Sequence, residues 1–266
     1  MQYKAIFLDI DDTLIGDTKV VSPGNLAAIE RAQRAGVFIT VATGRGYRGS
    51  SAIWRQLHIR GPVIVYGGAC IRDTRDDSVV FSADIDPGLI GEALVFSDKL
   101  GLVSQIYQGD AVITRVDNDI SRNYVKFLNL PYEADADINH KTWHNVPKIL
   151  AFAPPGKIDG ILKAYEKEFC GRLSVATSKP GFIELNRFGA DKGSAMLRLA
   201  KLLGIRRKEI IAVGDNTLDL QMIKSAGVGV CVGNGQQVIK DIADDIAPDC
   251  DADGVKWVIA KYIFGE

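Results

Sequence analysis

The sequence predicts an α/β protein: a doubly wound, Rossmann-like parallel-sheet core carrying an inserted α+β domain. Three observations lead there. Short apolar, β-rich runs alternate with helical segments at the start of the chain; the same alternation returns after residue 190; and the stretch between them reads as amphipathic helices and antiparallel strands. The 266 residues suffice for one large domain or two modest ones with a buried core.

The elements follow in order. The run after Gln2 is apolar up to Asp9 and reads as a buried strand. Ser22-Pro23 is a helix start, an N-cap followed by proline in the first turn; Leu26, Ile29 and Ala32 continue the apolar face and Gly36 closes it. Val37–Ala42 is the next strand, a helix is expected from about Gly46 to Leu57, and Pro62–Tyr66 is a third strand. In the second half, a helix from Lys192 to Leu203 stops at Gly204, strand Ile210–Val213 runs into Gly214-Asp215, and a short helix is expected from Leu218 to Ala226. Val228–Val232 is a strand, and a helix from Ala252 to Ile263 ends the series. Between them lie amphipathic helices near Gly88–Leu100 and Lys157–Phe169 and a shorter one near Asn118–Leu128. A hairpin joins Leu173–Thr177 to Phe182–Leu185 through Lys179-Pro180-Gly181.

Composition narrows the function. A formal net charge of -1 with 24% charged residues gives no electrostatic reason to expect nucleic acid or an anionic membrane as partner. The N-terminal apolar run is too short, and too soon followed by acids, for a signal peptide, and no stretch reaches the ~20 apolar residues of a membrane span. Cys70, Cys170, Cys231 and Cys250 show no close pairing and read as buried thiols in a reducing compartment, which makes the cytoplasm the expected location. His58, His140 and His144 have no metal spacing, Asp73–Asp77 reads as a charged turn, and Asp241–Asp253 as an acidic surface stretch.

The chemistry concentrates at strand ends. Asp9-Ile10-Asp11-Asp12-Thr13-Leu14 follows an apolar strand, where a doubly wound sheet binds its ligands. Residues two apart on a strand share a face, so Asp9 and Asp11 face one pocket unless a sharp turn after Asp9 substitutes a backbone carbonyl for one side chain. Close carboxylates repel unless a cation or a shared proton intervenes, and magnesium matches hard oxygen ligands and phosphate oxygens alike. Gly214-Asp215-Asn216-Thr217-Leu218-Asp219 is a second acidic strand end. Thr43-Gly44-Arg45 offers a hydroxyl and backbone N–H groups to a phosphate, and Lys192-Gly193 opens a helix with a cation.

In this order, Asp9/Asp11/Thr13, Thr43-Gly44-Arg45, Lys192-Gly193 and Asp215…Asp219 resemble the four motifs of the haloacid dehalogenase superfamily of phosphohydrolases. The phrases Ala42-Thr43-Gly44-Arg45, Asp191-Lys192-Gly193 and Gly227-Val228-Gly229-Val230 are similar to its Cof-type branch. Only 33 residues (10 to 42) separate Asp9 from Thr43, whereas 148 (44 to 191) separate Thr43 from Lys192, so a cap fits only in the second interval. The expected division is a core of 1–82 and 188–266 with a cap of 83–187, similar to the Cof-type and phosphomannomutase-like caps.

The resemblance implies a role for each residue. Asp9 attacks phosphorus and forms an aspartyl-phosphate; Asp11 protonates the leaving alcohol and then activates water. Thr43, Gly44 and Lys192 hold the phosphoryl oxygens. Asp9, the Asp11 backbone carbonyl and Asp215 bind Mg²⁺, while Asn216 and Asp219 support them, Asp219 by orienting Lys192 or a metal-bound water. Arg45 and Arg187 are candidate substrate contacts, Arg187 to a second negative group. The implied activity is a Mg-dependent phosphatase acting on small phosphorylated metabolites, sugar phosphates foremost. The alternatives are a phosphomannomutase-like phosphomutase and a non-catalytic ligand-binding protein. Two departures bear on substrate contacts: Leu218 stands where the family has asparagine, and Gly67-Gly68-Ala69 replaces the usual Asn-Gly-Ala.

Overall fold

The computed structural model describes residues 2–178 and 180–266. It divides into two compact units, the first made of Met1–Gly44, Ser50–Val80 and Asp191–Glu266, the second of Arg45–Gly49 and Phe81–Ala190. The strands in chain order are β1 (Ala5–Leu8), β2 (Phe38–Val41), β3 (Pro62–Val65), β4 (Cys70–Asp73) and β5 (Val79–Ser82). They continue with β6 (Val103–Gln108), β7 (Ala111–Thr114), β8 (Tyr132–Ala134), β9 (Ile149–Phe152), β10 (Leu173–Thr177) and β11 (Phe182–Arg187), then β12 (Ile210–Gly214), β13 (Val228–Cys231) and β14 (Asp245–Ile246).

The first unit is built on a parallel sheet of order β14-β13-β12-β1-β2. All four residues of β1 are buried, as a strand covered on both faces requires, which explains its unbroken apolar sequence. Leu8 pairs with Val41 on one side and Val213 on the other. The loops beginning at Asp9, Ala42 and Asp215 therefore leave one edge of the sheet, and a parallel bridge between Ala42 and Ile64 carries the arrangement on to β3.

Helix Pro23–Arg34 starts as its sequence requires: the Ser22 Oγ accepts from the Asn25 N–H, and proline occupies the first turn. The same hydroxyl donates to Asp253 Oδ1 at 2.5 Å, and the Lys256 N–H donates to Asn25 Oδ1 at 2.8 Å. These bonds clamp the first helix to helix Gly254–Ile259, more than two hundred residues away.

In the second unit a six-stranded sheet has the order β10-β11-β9-β6-β7-β8, antiparallel except for the β7–β8 pair. One of its faces packs Ile106, Ile149, Ile183 and Leu185 against Ile90 and Leu94 of helix Pro87–Lys99 and Tyr165 of helix Ile158–Glu168. A hydrogen bond of 2.6 Å between Ser97 and Tyr165 satisfies the two hydroxyls inside that core.

Several expectations need correction. Cys170 is exposed, unlike the other three cysteines, because it follows buried Phe169 by one position and turns away from the core. The third strand ends at Val65, since Tyr66 adopts φ 53° and opens a tight turn. The helix expected from Leu218 begins as a 3₁₀ turn at Thr217–Asp219 and becomes α-helical only over Leu220–Ser225. The last helix passes at Ala260 into a π-helical segment ending at Phe264. The hairpin β4–β5 lay outside the expected elements, although the Asp73–Asp77 turn marks its bend. The acidic stretch 241–253 is only partly solvated: Asp244 accepts from the Gly229 N–H, and Asp253 holds Ser22. The hairpin of β10 and β11 forms as expected; of its turn, Lys179 lies outside the described residues.

Replacing Ser22 by alanine removes both the cap and the tie to Asp253. The expected loss is about 1–2 kcal/mol, read as a Tm drop of ~2–8 °C in thermal melting, whereas Ser22→Asp, which keeps only an acceptor, should place a second carboxylate against Asp253 and fail to restore it.

Candidate active site

The strand-end loops of the first unit assemble around one buried cation. The Lys192 Nζ lies 2.5 Å from Asp9 Oδ1 and 2.6 Å from Asp219 Oδ1, and the three side chains are at most 4% exposed. Asp219 spends its other oxygen on the backbone, accepting from the N–H groups of Asp215 at 3.0 Å and Asn216 at 3.2 Å. Asp215 in turn accepts from the Thr13 hydroxyl at 2.9 Å and from the Asn216 amide at 3.2 Å on each oxygen.

Local sequence explains why the groups converge. Lys192 is the first residue of helix Lys192–Leu202, whose N-cap Asp191 and Ser194 form a reciprocal capping box, so its position is set by the helix start. Gly68 (φ +101°) lets the turn after β3 press on that start: a Cβ there would lie 2.1 Å from the Asp191 carbonyl oxygen. At the end of β12, a Cβ on Gly214 would stand 2.5 Å from both Cβ and Cγ of Asp219, so only glycine admits the Asp219 side chain against the strand end.

Charge at this point is unbalanced. Carboxylate oxygens of Asp9, Asp215 and Asp219 lie within 4.8 Å of one another, opposed by one ammonium. At an effective dielectric of ~20, two like charges that close repel by about 3 kcal/mol. Burial, with the neighbouring carboxylates adding to it and Lys192 opposing it, raises the Asp9 carboxyl well above its ordinary range. Burial and Asp219 push Asp215 up to about 7. Burial alone would lower Lys192, but Asp219 and Asp9 outweigh it and hold the ammonium above its usual range. The donor set, all hard oxygens with excess negative charge, fits a divalent cation such as magnesium.

Residues 6–259 match the family model of the haloacid dehalogenase-like hydrolases. The chain belongs to this family. It lies in the Cof-type branch, and it is 27% identical over 267 residues to the 5-amino-6-(5-phospho-D-ribitylamino)uracil phosphatase YitU of Bacillus subtilis, covering 97% of this chain and 96% of that protein. It is 29% identical over 292 residues to phosphatase YwpJ of the same organism, covering 98% and 100%. A solved haloacid dehalogenase-like hydrolase from Bacteroides thetaiotaomicron has a TM-score of 0.86 at 28% identity, covering 97% of this chain and 99% of that one. The protein is a phosphatase of the haloacid dehalogenase-like hydrolases.

The remaining site residues of this hydrolase are placed as follows. Asp11 does not share a strand face with Asp9: β1 stops at Leu8, and the chain turns so that the N–H groups of Leu14 and Ile15 both donate to the Ile10 carbonyl. Among the described residues, the carboxylates that meet are those of Asp9, Asp215 and Asp219, without Asp11. Thr43 is buried, and its backbone is fixed by bonds to Ile64 and from Gly67; Gly44 follows it, half-buried. Arg45 belongs to the second unit, where it donates to the Gly49 carbonyl at 3.2 Å. Arg187 ends β11, exposed, and lines a cavity of about 590 Å³ in that unit together with His144, Arg172 and Phe188. The 3₁₀ turn carries Leu218, half-buried, with its N–H donating to the Asn216 side chain.

Two contributions escaped the sequence reading. Thr13 stands in the first motif, but its partner was not legible there: its hydroxyl donates to Asp215. Asn234 donates to the Asp12 carbonyl at 2.7 Å and accepts from the Cys250 N–H at 2.8 Å, splinting the loop after Asp9; Gly233-Asn234-Gly235 advertised only a turn.

Two outcomes are expected. Gly214→Ala displaces Asp219 by the better part of an ångström and should cut kcat by about 100-fold, measured by steady-state phosphate release. Because burial raises Asp9 and Asp215, the folded chain keeps protons that the unfolded chain has released between about pH 4 and 7, so stability falls as pH rises through that window. A saturating divalent cation should therefore raise Tm more at about pH 7.5 than at about pH 5, as read by calorimetry.

Proposed function

We propose that the protein is a magnesium-dependent phosphatase of small phosphorylated metabolites, sugar phosphates among them, working in the cytoplasm through an aspartyl-phosphate on Asp9. The observation that carries the reading is the Lys192 ammonium held between Asp9 and Asp219 inside a cluster of buried carboxylates. We assign the catalytic core to 1–82 and 188–266 and the substrate-selecting cap to 83–187.

Lys192 holds Asp9 Oδ1 and opposes, without cancelling, the effect of burial on its carboxyl, and a bound divalent cation would supply the further positive charge that leaves Asp9 ionised as the nucleophile. Its oxygen attacks phosphorus as the P–O bond to the alcohol breaks, and Asp11 gives the departing oxygen its proton. Asp11, now a carboxylate, takes a proton from water, whose oxygen attacks the aspartyl-phosphate; inorganic phosphate leaves and Asp9 is restored. Thr43, the Gly44 N–H and Lys192 hold the equatorial oxygens during both transfers. Asp9, Asp215 and the Asp11 carbonyl would hold magnesium, because Asp219 already commits one oxygen to Lys192 and the other to two amides. When bound, the ion supplies the positive charge that this acidic cluster lacks and that phosphate oxygens attract. Thr13 and Asn216 orient Asp215.

No helix among the described residues is long and apolar enough to cross a membrane, and the net charge of -1 gives no electrostatic reason to expect nucleic acid as a partner.

In a panel of phosphorylated sugars, phosphate release should depend on Mg²⁺, stop with EDTA, and fall by at least about 1000-fold in Asp9→Asn. Substantial turnover by Asp9→Asn would sink the covalent route. Bisphosphate-dependent sugar interconversion without net phosphate would select the mutase instead.

A further inference from the structure

We propose that Asn234 is a positioning residue for Asp11: its side-chain amide holds the loop that bears the acid/base carboxyl at the place where a leaving group takes its proton. Asp11 has that role under the phosphatase reading above, on which the proposal rests. Asn234 stands outside the four motifs, and every residue involved belongs to the first unit.

The loop after β1 is held in a shape that few residues with a Cβ adopt. Asp12 has φ 61°, in the left-handed region, where such a residue persists only if its surroundings fix it. Both polar groups of its backbone are fixed. The N–H donates to the Ile15 carbonyl at 2.8 Å within the loop, and the carbonyl accepts from Asn234 Nδ2 at 2.7 Å from outside it. One peptide bond joins Asp12 to Asp11, so a rotation of the Asp12 backbone swings the Asp11 carboxyl with it.

Asn234 is itself seated from two sides. Its Oδ1 accepts from the Cys250 N–H at 2.8 Å, at the start of the 3₁₀ turn Cys250–Ala252. A carbonyl on one side and an N–H on the other decide which end of the amide faces which, and only an amide supplies both a donor and an acceptor there. Gly16 closes the loop against the same turn, since a Cβ on it would run into the Asp251 carboxylate. Two residues beyond Asn234, the Gln236 N–H donates to the Asp215 carbonyl at 2.7 Å. Gly235 permits that approach: a Cβ there would collide with the Cys231 thiol and stand 3.0 Å from the same carbonyl oxygen. The short loop after β13 thus grips the segment after β1 and the segment after β12 by their backbones, and sets how far apart the two stand.

The contribution is one of placement. Asn234 is exposed, so its bonds compete with water and return little stability, and a chain without them keeps its fold. A general acid, by contrast, works only within hydrogen-bond reach of the oxygen it protonates, and a shift of ~1 Å costs about 100-fold. An ester whose leaving oxygen must be protonated feels that shift; an ester whose leaving group departs as a stable anion feels it less.

The test compares phenyl phosphate, whose leaving oxygen needs a proton, with p-nitrophenyl phosphate, whose leaving anion is stable without one. Both esters give the same aspartyl-phosphate, so kcat/KM, which ends at cleavage of the P–O bond to the phenol, isolates the acid step. In Asn234→Ala the ratio of kcat/KM for phenyl phosphate to that for p-nitrophenyl phosphate should fall about tenfold. Asn234→Asp, which keeps the acceptor for Cys250 but sets an oxygen against the Asp12 carbonyl, should lower it likewise and serves if the alanine variant does not fold. Deuterium exchange at the Leu14 and Ile15 N–H groups, which bond to the Ile10 carbonyl, should quicken about tenfold in either variant while exchange in β9 stays the same. An unchanged ratio, an equal loss on both esters, or unchanged exchange overturns the proposal. A wild type that releases phosphate from neither ester overturns the phosphatase reading instead, and the exchange rates then decide separately whether Asn234 sets the loop.

Discussion

The ammonium of Lys192 is the point on which the first unit turns. It joins Asp9 at the end of β1 to Asp219 beyond β12, and so welds the start of one helix to the ends of two neighbouring strands. A buried pair of this kind returns little net stability, because desolvation offsets much of its attraction. Its value is positional. Asp219 cannot move without releasing the backbone amides of Asp215 and Asn216, and Lys192 cannot move without breaking the capping box at Asp191. Specificity of placement is thus obtained by over-determining a few side chains rather than by adding attraction.

The two units solve opposite electrostatic problems. The first concentrates negative charge and leaves it partly unanswered, which suits it to a divalent cation. The second buries Lys148 against Glu184, a charge pair whose members answer one another.

Much of this was legible in the sequence because it is carried by period and punctuation. Apolar runs ending in Asp9, Thr43 and Asp215 located three strand ends on one sheet edge, and Asp191-Lys192-Gly193 located a helix start. What escaped was set by the third dimension. Nothing local to Asp11 says that β1 stops at Leu8, since the turn is closed by Ile10, Leu14 and Ile15, which read as ordinary apolar residues. Thr13 and Asp215 are 202 residues apart, and no spacing rule links them. The strands β4 and β5 went unseen because β5 is short and largely exposed, without the alternation that marks a half-buried strand.

The order of the sheet also dictates an order of assembly. β1 is made first, yet it sits between β2 and β12, and the Ser22 clamp waits for Asp253. Apart from residues 45–49, the second unit is one uninterrupted stretch, 81–190, that can close upon itself while the remainder is still being synthesised. As the chain emerges from the ribosome, β1 must therefore wait, with an apolar edge unpaired, until some two hundred further residues have appeared. That interval is the stretch of the protein's life in which β1 is most open to chaperones and to mispairing.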